Sequence, residues 1–353
     1  MTSFAPSDIN RLATRLEKAE KTVIATHFKP DGDAMGSSLA MYCFIKHHFR
    51  TDVRIVLNDR FPSSIAFMVS PDTERSISVY EEDPEGTAQA IRDADLIIGM
   101  DFNAFHRTDR LEPLLYGSGA YKILIDHHLN PDKEAFDLIF SCQEVSSASE
   151  LLYHILKVMP QCRNGLSCLP LESAEAIMTG MTTDTNNFAN STYPSTLMMA
   201  SELMAIGVDR NHIISNIYNR YGENRLRLLG HILKDLMTIT DDGVAYVVLD
   251  KETLERYSIE EGDTEGFVNM PLSIDNVIMS LLLKEDGDRI RVSIRSKQGI
   301  SANKCSRLHF NGGGHENAAG GRLNVPEDIC DIKDAAEYIE RHTHTFINEE
   351  NEA

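Results

Sequence analysis

The sequence has no tryptophan, no C-x-x-C pair and no apolar stretch close to the ~20 residues that a membrane-spanning helix requires. Its six cysteines are scattered along the chain, which argues against a zinc ribbon or a dithiol redox site and predicts reduced thiols. The N-terminal segment also lacks the apolar core of a signal peptide. We therefore expect a cytoplasmic protein without a membrane partner.

Positive charge is also scarce: 34 lysines and arginines stand against 54 aspartates and glutamates, for a formal net charge of −20. Proteins that hold a long polyanion usually carry a basic stripe, because phosphate contacts dominate the affinity. No such stripe occurs along this sequence, so we expect no long duplex nucleic acid as a partner. Phosphate-bearing substrates fit only if they are short or if bound cations reverse the local charge.

Short β-rich runs alternate with helical patterns in the first half of the chain. The runs span residues 21–27, 53–59, 95–101 and 121–127, and amphipathic stretches such as 36–49 separate them. This alternation predicts an α/β fold with a parallel sheet and flanking helices. In such sheets, functional groups gather beyond the carboxyl ends of the strands.

The pattern changes after about residue 220. The first domain is therefore expected over residues 1–220, followed by a helical linker over 221–238. Strand-like runs then predict a smaller α+β domain over 239–345. Residues 346–353 are polar and are expected to form a frayed tail.

Four clusters of histidine and aspartate stand out, three of them at the ends of predicted strands: His27, Asp31 and Asp33; Asp101; Asp126, His127 and His128; and Asp184. Alone, a strand-terminal aspartate is more often a helix cap or turn residue than a ligand. An isolated histidine is likewise more often an ordinary hydrogen-bonded residue. Together the clusters favour a metal site, because the strand ends of a parallel sheet share one crevice.

So many carboxylates in one crevice would repel one another, and a pair of divalent cations removes the repulsion. Ligands of histidine and aspartate suit Mn²⁺, with Mg²⁺ or Co²⁺ as alternatives. Two cations about 3.5–4 Å apart can activate a hydroxide and hold the oxygens of a phosphoryl group. The sequence therefore predicts an enzyme, a metal-dependent phosphoric ester hydrolase.

A glycine-rich segment, NGGGHENAAGG, spans residues 311–321. Gly313 and Gly314 would let the backbone approach a ligand closely, and His315 would add a donor beside them. A plain turn between a strand and a helix is an equally good interpretation.

Basic residues end the strand-like run before this segment. Arg295 and Lys297 flank Ser296 there, and arginine can bind a phosphate through two parallel hydrogen bonds. We interpret Arg291, earlier in the same run, as solvated surface.

The motifs resemble those of the DHH phosphoesterase superfamily and occur in that family's order: His27-x3-Asp31-x-Asp33, Asp101, Asp126-His127-His128, and the TTDT segment around Asp184. The GGGH segment resembles the DHH-associated C-terminal domain. Because the chain is compact, it is most similar to the oligoribonuclease and 3′-phosphoadenosine 5′-phosphate (pAp) phosphatase branch. That branch implies short 5′-phosphorylated oligonucleotides and pAp as substrates, cleaved by a hydroxide that two cations activate.

The resemblance implies a role for each matching residue. The metal ligands would be His27, Asp31, Asp33, Asp101, His127 and Asp184, with Asp101 favoured over Asp33 as the bridge. Asp126 would orient a histidine, and His128 would lie against the scissile phosphate, so that the catalytic residues are His128, Asp126 and Asp101. The second domain would bind substrate, and the implied contacts are Arg107, Arg295, Ser296, Gly313, Gly314 and His315, although an ordinary ion pair explains Arg107 equally well.

The sequence leaves alternatives open. A cyclic-dinucleotide phosphodiesterase or an exopolyphosphatase or inorganic pyrophosphatase would use the same metal site, and a non-catalytic nucleotide-binding protein is the least favoured alternative. Relatives commonly have glycine where this chain has Asn186, and we expect the turn to survive because asparagine tolerates left-handed backbone. Many members of the family self-associate, so a homodimer is a further expectation from the resemblance.

Overall fold

The computed structural model describes residues 4–220, 222–260, 262–287 and 289–352. The chain divides into two compact units, Met1–Arg220 and Tyr221–Ala353. Residues 1–3 of the predicted first domain, residue 221 of the predicted linker, residues 261 and 288 of the predicted α+β domain and residue 353 of the predicted tail lie outside the described residues. In the part of the chain that is described, the helices lack the combination of length and apolar character needed to cross a bilayer.

The first unit is built on a six-stranded sheet: β1 (Lys21–Thr26), β2 (Asp52–Leu57), β3 (Ile77–Val79), β4 (Leu96–Met100), β5 (Tyr121–Asp126) and β6 (Leu138–Ser141). Their order is β3-β2-β1-β4-β5-β6, and each neighbouring pair is parallel. The α/β prediction with a parallel sheet is confirmed. Strand order reverses between β1 and β4, and such a switch point opens a crevice at the carboxyl ends of the strands.

Helices cover both faces of this sheet: α1 (Pro6–Lys18), α2 (Gly32–His48), α3 (Pro71–Glu74), α4 (Pro84–Asp93), α5 (Glu112–Gly117), α6 (Ala148–Val158), α7 (Leu171–Asp184), α8 (Pro194–Ala205) and α9 (Arg210–Tyr218). Successive strand residues enter opposite cores, since Ile24 packs with α1 and α2 whereas Val23 packs with α4 and α5. This alternation is what a pleated strand buried on both faces produces.

The second unit has a mixed sheet: β7 (Thr238–Ile239), β8 (Val244–Leu249), β9 (Met279–Asp286), β10 (Arg289–Ser296), β11 (Gly313–His315) and β12 (Ala318–Asn324). Their order is β11-β12-β10-β9-β8-β7, with β8 and β9 parallel and the other pairs antiparallel. The helices of this unit are α10 (Glu223–His231), α11 (Lys251–Arg256), α12 (Ala302–His309) and α13 (Ala335–Glu352).

The predicted polar tail from residue 346 is instead the last part of α13, which runs to Glu352. Phe346 and Ile347 are buried in the core of the second unit together with Ile339. Apolar residues at this spacing recur on one face of a helix, and that face docks the segment. The prediction of a frayed tail was wrong because the other residues of the segment are polar and obscure this apolar helical face.

The expectation that all cysteines are reduced thiols is also corrected, because Cys162 and Cys168 form a disulfide. Gly165, at φ 103°, lets the intervening loop fold back, so that the two Cα atoms come within 5.3 Å. The four free cysteines are Cys43, Cys142, Cys305 and Cys330.

Candidate metal centre

Three neighbouring strands of the first sheet bring the predicted ligands to one level. Thr26 of β1 is paired with Met100 of β4, which is paired with Ile125 of β5. The residues that follow these partners are His27, Asp101 and the Asp126-His127-His128 segment. They therefore lie side by side at the switch point of the sheet.

Asp31 and Asp33 are placed by the start of α2. The Asp31 carboxylate caps this helix, accepting hydrogen bonds of 3.0 Å from the amides of Asp33 and Ala34. Asp33 is buried, and its carboxylate accepts from the amides of Ala148 (2.6 Å) and Ser149 (3.0 Å) at the start of α6. Helix N-termini favour negative charge, so the start of α6 helps to hold Asp33 in position.

One set of candidate ligands is formed by His27, Asp31 and Asp101. The Nε2 atom of His27 is 3.6 Å from Asp101 Oδ2 and 3.8 Å from Asp31 Oδ1. The other ring nitrogen, Nδ1, is 2.8 Å from the carbonyl oxygen of Phe28. A carbonyl can only accept, so Nδ1 carries a hydrogen, and Nε2 is the ring atom that would bind a cation.

A second set lies on the other side of the Asp101 carboxylate. The Nε2 atom of His127 is 3.4 Å from Asp101 Oδ1, 3.7 Å from Asp184 Oδ2 and 3.9 Å from Asp33 Oδ2. Asp101 Oδ1 is buried and makes no hydrogen bond within the described residues. The two oxygens of Asp101 thus face two separate groups of nitrogen and oxygen donors, as in a carboxylate that bridges two cations.

Electrostatics show that the cluster is short of positive charge. Burial would lower the pKa of His27 and of His127, but the facing aspartates raise each to about 10. Burial would raise the pKa of Asp101, but His127 and His27 hold it well below its usual range. Burial and the Asp101 carboxylate raise the pKa of Asp33 well above its usual range and that of Asp184 to about 6. Bound cations would supply the missing charge, so these residues fit a metal site.

Asp126 is fully buried and holds His128 rather than His127. Its Oδ1 is 2.7 Å from His128 Nδ1, and its Oδ2 accepts a 3.1 Å bond from the backbone amide of His128. These two bonds to Asp126 fix the imidazole ring of His128, and the Nε2 atom of that ring faces away from Asp126. The sequence had left open which histidine Asp126 would orient.

Two glycines that sequence reasoning did not single out let α2 and α7 approach closely. A Cβ atom added to Gly36 would lie 2.7 Å from the Ala176 carbonyl oxygen and 2.8 Å from Gly180 Cα. A Cβ on Gly180 would lie 2.1 Å from Ser149 Oγ and 2.8 Å from Asp33 Oδ1. The close approach brings Asp33 of α2 and Asp184 of α7 to the same centre. In the sequence, the small residues spaced four apart on each of these two helices were the signal that could have predicted their close approach.

Glu150 is another residue that the sequence analysis missed. Its buried carboxylate accepts hydrogen bonds from the amide and hydroxyl of Ser146 (2.9 and 2.5 Å) and from the Thr196 hydroxyl (2.6 Å). Burial would raise the pKa of Glu150, but His154, Ser146 and Thr196 lower it to about 2. Glu150 therefore anchors the loop that leads into α6, whose first amides hold Asp33.

We expect Glu150→Ala to lower the free energy of unfolding by about 2–3 kcal/mol, because buried donors at Ser146 and Thr196 would lose their acceptor. Glu172→Ala, at an exposed position of α7, is the control and should change it by less than about 0.5 kcal/mol. Urea unfolding followed by circular dichroism measures both. Equal stability of the two variants would contradict the anchoring role.

The turn after Asp184 survives with asparagine in the place of glycine. Asn186, Asn187 and Phe188 have φ values of 46°, 58° and 69°, so three consecutive residues are left-handed. The Thr185 hydroxyl accepts a 3.0 Å bond from the Phe188 amide and helps to hold this conformation. The expectation that the turn tolerates Asn186 is confirmed.

Arg107 lies beside the His27 loop, since its carbonyl oxygen accepts a 2.7 Å bond from the Phe28 amide. Its half-buried side chain makes no ion pair within the described part of the chain. The described residues therefore give no support to the interpretation of Arg107 as an ordinary ion-pair residue. A contact between Arg107 and the substrate stays a prediction.

In the second unit, the sheet register aligns Arg295 with His315. Both residues are paired with Ala318, Arg295 from β10 and His315 from β11, so their side chains lie on one face. Ser296 donates its hydroxyl to Ile300 O (2.6 Å).

The three glycines at the start of β11 have different surroundings. Added Cβ atoms would meet backbone at 1.9 Å on Gly312 and at 2.6 Å on Gly314, whereas the nearest atom to one on Gly313 is 3.4 Å away. Gly314 also gives its amide to Asn303 Oδ1 (3.0 Å). Gly312 and Gly314 are therefore needed for the close approach of this segment to β12, which leaves Gly313, Arg295 and His315 as the stronger ligand-binding candidates.

Comparisons with known proteins agree with this arrangement. The family model described as "DHH family, N-terminal domain" matches residues 21–181, and that described as "DHHA1 domain" matches residues 241–341. The "Bifunctional oligoribonuclease and PAP phosphatase NrnA" of Bacillus subtilis is 28% identical over 302 residues, covering 85% of this chain and 88% of the relative. The crystal structure of an exopolyphosphatase-related protein from Bacteroides fragilis has a TM-score of 0.89 at 35% identity, covering 99% of this chain and 100% of the other.

Proposed function

Because the chain belongs to the DHH family and is a phosphoesterase, we propose that it hydrolyses short 5′-phosphorylated oligonucleotides and pAp with the help of two divalent cations. The substrate proposal is supported by the name of the Bacillus subtilis relative, an oligoribonuclease and PAP phosphatase. The acidic surface also favours short substrates, since a net charge of −20 repels long polyanions.

The observation that carries the metal proposal is the Asp101 carboxylate, whose two oxygens face separate ligand sets. His27 and Asp31 would complete one site, and His127, Asp33 and Asp184 would complete the other. Mn²⁺ suits this mixture of imidazole and carboxylate, with Mg²⁺ or Co²⁺ as alternatives. When bound, such cations lower the pKa of water and neutralise the charge of a phosphoryl group.

His128 would contact the scissile phosphate. Its orientation is fixed by the 2.7 Å bond between Nδ1 and Asp126 Oδ1, so the ring needs no reorganisation, and in the imidazolium form Nε2 would donate to the phosphate. Asp126 would stabilise a positive charge on the imidazole while the reaction proceeds. In the second unit, Arg295, Gly313 and His315 would bind the terminal phosphate or base of the substrate. The corresponding domain roles, metal binding in 1–220 and substrate binding in 239–345, are part of this proposal.

The test is a time course in Mn²⁺ with pAp, a 5′-labelled RNA trimer, a 24-mer, cyclic di-AMP and pyrophosphate. We expect rapid loss of pAp and the trimer while the 24-mer is largely spared. A chain that consumed only cyclic di-AMP would keep the metal site and overturn the substrate proposal.

Inorganic polyphosphate is the second candidate substrate, because the Bacteroides fragilis structure is named as exopolyphosphatase-related at 35% identity. Polyphosphate is therefore included in the same time course. Phosphate release from polyphosphate, with the trimer and pAp untouched, would favour this alternative.

A further inference from the structure

The register of the C-terminal sheet places three cations side by side across three strands. Arg291 of β10 is paired with Lys284 of β9 on one side and with Arg322 of β12 on the other. Directly opposite residues of antiparallel strands point to the same face, and like charges there destabilise a sheet. Three positive side chains thus lie together in one row of this sheet, although the chain as a whole has a net charge of −20.

This cationic row (Lys284, Arg291 and Arg322) lies on the same face as Arg295. Residues of β10 alternate between exposed or half-buried and fully buried along the strand, so Arg291, Ser293 and Arg295 share the open face. Arg291 and Arg322 are both exposed. At about 3.3 Å per residue, the row is roughly 13 Å from Arg295 along the strand.

Between Arg295 and the cationic row, β12 and β11 present backbone without side chains, beside Ser293 of β10. Gly320 of β12 and Gly313 of β11 are paired with each other, and Ser293 is paired with Gly320. An added Cβ atom would meet nothing closer than 3.7 Å at Gly320 and 3.4 Å at Gly313, so sterics do not require glycine at either position. Glycine weakens a strand, and within a sheet it often marks a place where a ligand approaches the backbone.

We propose that this face is a second phosphate subsite, which binds the backbone of a single-stranded oligonucleotide a few nucleotides beyond the one held by Arg295 and His315. The glycine pair forms its floor, and Arg291 and Arg322 contact the distal phosphates. In this way a chain that repels long nucleic acids still gains affinity for oligomers of about four or five units. The inference rests on the proposed oligonucleotide substrate, and it gives the exposed Arg291 a binding role.

The test measures binding apart from hydrolysis, so that it stays informative even if the proposed reaction is wrong. Full-length protein in EDTA is titrated against 3′-labelled RNA dimers and pentamers, with fluorescence anisotropy as the readout. The double variant Arg291→Gln/Arg322→Gln should weaken pentamer binding about tenfold and dimer binding less than twofold. Each phosphate contact with a single strand contributes about 0.7 to the slope of log K against log[salt]. Loss of two contacts should therefore reduce the magnitude of this slope for the pentamer by about 1.4.

Two further variants distinguish a subsite from a general loss of charge or fold. Arg341→Gln removes an exposed arginine from α13, on the opposite layer of this unit, and should leave pentamer binding unchanged. Gly320→Val covers the proposed floor with a residue that strands favour, so it should weaken pentamer binding while the melting temperature stays equal or rises.

Several outcomes would overturn the subsite. Equal changes for dimer and pentamer, or no change for either, would show that the row does not bind distal phosphates. A loss of binding that tracks a lowered melting temperature in Gly320→Val would assign the glycines a structural role. If the double variant lost affinity for inorganic polyphosphate but kept it for the pentamer, the ligand would be polyphosphate and the oligonucleotide assignment would fall.

Discussion

Asp101→Asn is expected to lower turnover of pAp and of the RNA trimer by about three orders of magnitude or more. Both ligand sets depend on this carboxylate, and an amide offers only one oxygen acceptor in place of two. Asn also suits the left-handed backbone at this position, where φ is 62°. The change therefore removes charge without adding backbone strain.

The control for this change is Asp109→Asn. Asp109 is exposed and also has a positive φ of 52°, so the same chemical change is made at another aspartate with positive φ. Its activity should match that of the unsubstituted chain. A second readout is the rise in melting temperature on adding Mn²⁺, which Asp109→Asn should keep and Asp101→Asn should largely lose. Full activity in Asp101→Asn would contradict the bridging role.

Gly180→Ala should have the second-largest effect, although residue 180 is not itself a ligand. The new methyl group would overlap Ser149 Oγ at 2.1 Å and press on Asp33 Oδ1 at 2.8 Å. We expect turnover to fall about a hundredfold, since small displacements of catalytic groups are costly. The free energy of unfolding should fall by about 1–3 kcal/mol because the buried site is overpacked.

Gly230→Ala is the matched control, because Gly230 is also helical but has no atom within 4 Å of an added Cβ. There the substitution should stabilise the helix by about 0.5–1 kcal/mol and leave turnover unchanged. Steady-state kinetics and urea unfolding of the two variants separate the effects. Equal kinetics for Gly180→Ala and Gly230→Ala would mean that the approach of α2 to α7 does not position Asp33.

The parallel sheet and the crevice were predictable because strand periodicity and the polar residues at strand ends are local features of the sequence. His27, Asp101 and His127 follow directly from them. Asp184 could be placed in the cluster only through the family resemblance, because its position depends on how α7 packs against α2. The contacts at Gly36 and Gly180 join residues far apart in the sequence, and the small residues four apart on each helix do not by themselves identify the partner helix.

The C-terminal unit was predicted less completely for the same reason. Its strands were recognisable, but Arg291 by itself gave no sign that Lys284 and Arg322 lie opposite it, since register depends on pairing across strands. The end of α13 was missed because two buried residues, Phe346 and Ile347, dock an otherwise polar segment. The Cys162–Cys168 disulfide was missed because it depends on the fold of the intervening loop.

Electron paramagnetic resonance of the Mn²⁺-loaded protein tests most directly whether Asp101 joins two cation sites. We expect two Mn²⁺ ions for each chain and a spectrum with exchange coupling between them. Asp101→Asn should lose that coupling. A single tightly bound ion, or two ions without coupling in the unsubstituted chain, would contradict the bridging role of Asp101.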